Sequence, residues 1–145
     1  MSASMSDEPQ RGEHFFSITT VGGCVAVLLV DTIGSLISRS TRFPYGYFAI
    51  VSSAIYIAIG IIDGYVRSTR SAVISAFAVS LVDATIGWWI SWQLGPGRLP
   101  AGGAAGIIIV VFTSMLVVGF DTLLAFGAGA ISHAVRSRHS AHPRT

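Results

Sequence analysis

Four aspartates, Asp31, Asp63, Asp83 and Asp121, each stand alone in a long apolar run. A carboxyl at the centre of a membrane-spanning helix costs about 2.5–3.5 kcal/mol on insertion scales, so four of them call for a return. The chemistry such groups perform is the binding and release of protons or cations, and two carboxyls close together can share one proton. Asp31 and Asp83 are the pair best matched for this. Leu29-Val30-Asp31 and Leu81-Val82-Asp83 both lead into Thr-Ile-Gly-x-x-Ile-Ser, at Thr32–Ser38 and Thr85–Ser91, with one residue of slip between acid and threonine. Asp121 is read as supporting this pair. Asp63 lies four residues before Arg67, the spacing of an i,i+4 ion pair near a helix end. Ser35, Ser53, Tyr56, Ser80 and Thr85 supply hydroxyls on the same helices. A protonated aspartate bonded to such hydroxyls clamps a bundle instead, at about 1 kcal/mol per bond, and is the structural alternative to a site.

The elements that position these residues follow from composition. Of 145 residues, 52% are hydrophobic and 11% charged, with a mean hydropathy of +0.68. That is too little charge to cover a soluble domain. A span needs about 20 apolar residues, and the runs at 16–38, 44–66, 71–92 and 104–130 each supply them. They define a transmembrane domain over 15–132 between a polar N-terminal tail, 1–14, and a basic C-terminal tail, 133–145. The N-terminus lacks the positive region of a cleavable signal, so residues 15–38 read as an uncleaved anchor. Short connections leave only antiparallel neighbours. The expected fold is an all-α integral membrane protein with four transmembrane helices in an antiparallel bundle. The echo between spans one and three, and a weaker one between Gly60-Ile-Ile-Asp63 and Gly119-Phe-Asp121, suggests tandem duplication of a two-helix hairpin, in the manner of parallel repeats.

Within each span the acid falls on a stripe of small and polar residues. Ala72, Ala76, Ser80, Asp83, Gly87 and Ser91 recur at helical spacing in the third span, and Ala49, Ser53, Tyr56, Gly60, Asp63 and Arg67 in the second. The first span has Gly23, Val27, Asp31, Gly34 or Ser35, and Ser38; the fourth has Ser114, Val118, Asp121, Ala125 and Gly129. Small residues let helices approach, so these faces are expected to turn inward. All nine basic residues are arginine and lie outside the spans. Six (Arg11, Arg67, Arg70, Arg136, Arg138, Arg144) fall on the side of both termini and three (Arg39, Arg42, Arg98) on the other, which predicts cytoplasmic termini in a plasma (inner) membrane. With that orientation Asp31 and Asp83 lie near or outside the midplane, and Asp63 and Asp121 on the cytoplasmic half. Phe43, Tyr45 and Tyr47 group with Trp88, Trp89 and Trp92 at the outer interface.

Other chemistries find little support. Cys24 is the single cysteine, which removes disulfide and CxxC readings. His133, His139 and His142 sit in the basic tail, and no metal site or cofactor is expected. Arg136 and Arg138 suit anionic lipid headgroups, and no arginine cluster points to nucleic acid. Gly119-Phe120-Asp121 lacks the second glycine of the Gly-x-Gly-Asp motif of intramembrane aspartyl proteases. No nucleophile–base pair or phosphate loop points to an enzyme. The expectation is proton- or cation-coupled transport by the aspartates, in a lipid bilayer and as a homodimer. The rival is a non-catalytic accessory or assembly subunit of a larger membrane complex, its acids meeting a partner membrane protein.

Overall fold

The computed structural model describes residues 18–95 and 103–141. The tail 1–14, with Arg11, and Arg98, His142 and Arg144 lie outside the described residues. Among the described residues there are helices and short turns and no strand. Four helical stretches are long and apolar enough to cross a membrane: Ile18–Thr41, Tyr45–Val66, Thr69–Leu94 and Gly103–His139.

Breaks in the helices follow local chemistry. Helix α1 (Ile18–Thr41) ends where Arg42 takes a left-handed φ of 59° and Pro44 follows. A short 3₁₀ turn, Tyr45–Tyr47, leads into α2 (Phe48–Val66). Arg67 leaves helical geometry at φ −120°, and Ser68 then caps α3 (Thr69–Val82) by accepting the Ser71 N–H at 3.1 Å. The third span is not uniformly α-helical. A π turn, Asp83–Gly87, separates α3 from α4 (Trp88–Leu94), and Gly95 at φ 115° closes it. The last helix, α5 (Gly103–Ala141), is 39 residues long, about 58 Å at 1.5 Å per residue. It does not stop near 130 but carries on through most of the stretch read as a tail. Arg136, now helical, donates to the carbonyls of Tyr65 and Val66 at 2.7 and 3.1 Å and so satisfies the end of α2.

Glycines set how closely the helices meet. A Cβ on Gly60 would stand 2.5 Å from the Ala125 carbonyl, and one on Gly64 would stand 2.5 Å from the backbone of Gly129. A Cβ on Gly23 would press on Ile59 and Val79, and one on Gly34 on the Phe48 ring. These approaches close a small core of Val27, Tyr56, Ile59, Ala76, Val79 and Ala125. Helix α2 packs most extensively on α5, and α3 packs on both. Helix α1 rests on α2, α3 and α4, and its backbone stays apart from that of α5. The stripe residues Ala72, Ala76, Ser80, Gly87 and Ser91 are all buried. Large apolar side chains such as Ile108, Phe112, Met115 and Leu123 are instead exposed, as lipid-facing residues would be.

Candidate functional site

The gap between α1 and α5 is where three of the four acids meet. Asp31 from α1, Asp83 from the π turn and Asp121 from α5 line one cavity of about 380 Å³, floored by Ala49, Ser52 and Ser53 of α2. A second cavity of about 170 Å³ adjoins it, sharing Asp31, Tyr45, Asp83 and Val117 and adding Trp88 and Thr113. The Asp31 and Asp83 carboxyls are neighbours across Gly87. Gly87 makes this possible, because a Cβ there would overlap Asp31 Oδ2 and touch Asp83 Oδ1. Asp121 lines the same cavity as Asp83.

Two tyrosines hold the pair. Tyr45 donates to Asp31 Oδ1 and Tyr56 donates to Asp83 Oδ2, each at 2.8 Å. Asp31 Oδ2 is buried and has no donor among the described residues. The Asp83 carboxyl lies close by across Gly87, and a carboxyl donates only when protonated. The hydroxyls of Ser35 and Ser91 are also fully buried and have no hydrogen-bond partner among the described residues.

Asp63 stands apart. It is 1% exposed and accepts from the Ser75 hydroxyl, which in turn accepts from Thr20 at 3.0 Å. Its expected ion pair with Arg67 is not formed. The Arg67 N–H still bonds the Asp63 carbonyl at 2.9 Å, but the Asp63 carboxyl is buried against Ser75 while Arg67 is exposed at the cap, its φ of −120° off the helical path and its guanidinium donating to Ser71 at 3.3 Å. Asp121, expected at the depth of Asp63, groups with Asp31 and Asp83 instead. The contacts of Gly60 with Ala125 and of Gly64 with Gly129 set α5 so that Asp121 comes level with Tyr56, a turn or more from Asp63.

The hydroxyl residues also sort differently from their spacing. Tyr56 reaches across to Asp83, not along its own helix to Asp63, seven residues and about 10 Å away. Ser53 lines the cavity, whereas Ser80 is buried and bonds the Phe77 carbonyl at 3.1 Å. Thr85 is exposed and bonds its own helix at Leu81, 2.6 Å away, so it supports no carboxyl. Tyr45, read as an interface aromatic, turns inward. Extending the second-span stripe back by four from Ala49 reaches Tyr45, and extending the first back by three from Gly23 reaches Thr20, so the helical period carries a signal for both. No residue pattern marked Ser75 or the π turn.

No protein-family model matches this chain, and no curated protein or solved structure matches it.

Proposed function

We propose that this chain is a small multi-pass membrane protein that carries out proton- or cation-coupled transport, with Asp31 and Asp83 as the exchanging pair and Asp121 in support. The observation that carries this reading is the convergence of three carboxyls, from three different segments, on one cavity around a buried oxygen lacking a donor. A clamp needs every buried polar atom satisfied; an exchanging site needs one that a proton or ion can complete. No enzymatic role is proposed. The spans form an antiparallel bundle with both termini in the cytoplasm of a plasma (inner) membrane. The antiparallel order is supported by Gly23 and Gly34 of α1 meeting Ile59 and Phe48 in reverse order along α2. The arginine distribution supports the orientation.

The duplication gains a physical account from the π turn. A π turn absorbs one extra residue in a helix, and the two echoes differ by one residue, Ala84, between acid and threonine. With that residue taken up in the wide turn, Gly34 and Gly87 both fall one turn after their aspartate, and both are buried. Function as a homodimer follows from the small size of one bundle.

Reconstitution into proteoliposomes loaded with a pH-sensitive dye tests the transport reading. An imposed cation gradient or membrane potential should drive proton movement that falls at least tenfold in Asp31→Asn and Asp83→Asn; flux equal to that of empty vesicles sinks it. The accessory-subunit reading keeps one observation in its favour, the separation of α1 from α5, which leaves room for a partner helix. Inactivity of the chain alone, with a stoichiometric membrane partner on purification, would favour it.

A further inference from the structure

Hydroxyls in the spans are ordinarily spent on their own helix. Thr32, Ser80, Thr122 and Ser132 each donate to a carbonyl three or four residues back. Ser52 and Ser53 do not. Half-buried on α2, they line the larger cavity and enter no hydrogen bond among the described residues. Asp121, on the α5 wall of the same cavity, is 5% exposed and likewise has no hydrogen-bond partner among them. The partnerless oxygens that are sealed from any approach are Asp31 Oδ2 and the hydroxyls of Ser35 and Ser91. Those of Asp121, Ser52 and Ser53 are not sealed, so a ligand seated in the cavity can reach them.

The cavity is open on one side. Ala49, Leu116 and Phe120 line it and are also exposed on the outside of the bundle. Helices α2 and α5 close on each other only further along, where Gly60 meets Ala125, so the mouth lies between them. Ser53 is six residues past Tyr47, about 9 Å at 1.5 Å per residue, which sets the mouth in the first third of a hydrocarbon core about 30 Å thick. An amphipathic molecule with a cationic head rests at that depth, its head towards the interface and its body among the acyl chains. A buried carboxylate needs a counter-charge, and a primary ammonium supplies one together with three N–H donors for the acceptors on this wall. We propose that the cavity takes an amphipathic primary amine from the bilayer through the opening between α2 and α5, its ammonium on the Asp121 carboxylate with the Ser52 and Ser53 hydroxyls beside it, and its apolar body against Phe48, Leu116 and Phe120. Asp121 is then the residue that holds the cargo, and Asp31 Oδ2, sealed beside Gly87, takes no part. This inference rests on the transport reading of the same cavity and names its cargo.

Purified full-length protein in phosphatidylcholine nanodiscs is titrated with n-octylamine by calorimetry, with empty nanodiscs as the reference for partition into lipid. Octylamine is expected to bind saturably. Octyltrimethylammonium, which has no N–H, should bind at least tenfold more weakly, and so should ethylamine, which has the same head and too small a body to enter from the bilayer. Asp121→Asn should weaken octylamine at least tenfold, Ser52→Ala combined with Ser53→Ala about threefold to tenfold, and Ala49→Phe, which fills the mouth, at least threefold. Leu123→Ala, on an exposed face of α5, should leave it unchanged. Equal affinity for octylamine and its trimethyl analogue would overturn the proposal, as would unaltered affinity in Asp121→Asn. Ethylamine binding as tightly as octylamine would make the ligand a water-borne amine and overturn the route through the bilayer. Absence of saturable binding from a protein that still moves protons in vesicles would overturn this inference and leave the transport reading intact; absence of both would remove the two together.

Discussion

The two ends of the bundle treat their aspartates in opposite ways. Asp63 is sealed where Gly60, Gly64 and Gly129 draw α2 and α5 together, and its carboxylate ends a chain of hydroxyls through Ser75 to Thr20. Asp31 and Asp83 sit where α1 and α5 do not meet, beside a cavity, with an oxygen left over. The same residue type is thus a satisfied strut at one end and an incomplete pair at the other. Burial alone does not separate the two, since Asp31, Asp63 and Asp121 are all buried. The leftover oxygen does: Asp31 Oδ2 is buried without a donor, and among the described residues Asp63 has no such atom.

The largest effect that would sharpen this contrast is at the sealed end. Gly64→Ala should cost about 1–3 kcal/mol, because its Cβ meets backbone that cannot swing away, whereas Gly119→Ala, with open space around it, should be neutral. Thermal melts of both in detergent check this, and equal melting temperatures would mean the helices are not held by that approach. Next, Asp63→Asn should lose about 1–3 kcal/mol by weakening the bond from Ser75 and burying an amide N–H₂ without an acceptor. Asp31→Asn should be neutral or stabilising, because the amide can donate to the Asp83 carboxylate and supply the missing donor. A loss at Asp31 as large as that at Asp63 would break the comparison and make both ends clamps. Tyr56→Phe, which removes the donor to Asp83 Oδ2, is expected to cost about 1 kcal/mol in the same melts. Thr85→Val should fall within about 0.5 kcal/mol, since its hydroxyl serves only its own helix at the surface.

Much of this was legible in the chain, for physical reasons. The length and polarity of the runs announce four spans, and the spacing of Ala72, Ala76, Ser80, Gly87 and Ser91 marks the buried face of the third, because close helix packing selects small residues at that period. The pairing of Asp31 with Asp83 could be anticipated from the echo. What the spacing could not carry is offset between helices. Asp121 joins the cavity because glycines fix how far α5 slides along α2, a relation between two segments that no single-helix pattern encodes. Tyr45, beside Pro44 at a span end, reads as an interface aromatic, and its hydrogen bond to Asp31 comes with the 3₁₀ turn Tyr45–Tyr47, which that reading does not contain. The ion pair of Asp63 with Arg67 is absent for a comparable reason: Ser75, on another helix, takes the Asp63 carboxyl into the interior while Arg67 stays exposed at the cap.

The position of the π turn along its span has an electrical meaning. The 14 residues of α3, Thr69–Val82, precede Asp83, which is about 21 Å at 1.5 Å per residue, whereas a bilayer's hydrocarbon core is about 30 Å thick. Across such a core, a charge reaching Asp83 from the far side has traversed only about a third of the field. At 100 mV that is about 0.8 kcal/mol of the 2.3 kcal/mol for full passage. The remaining drop of about 1.5 kcal/mol falls over the rest of the span, the glycine-packed stretch around Asp63 included. In those terms the sealed end is the dielectric of the device and the carboxyl cavity is a well set at its edge.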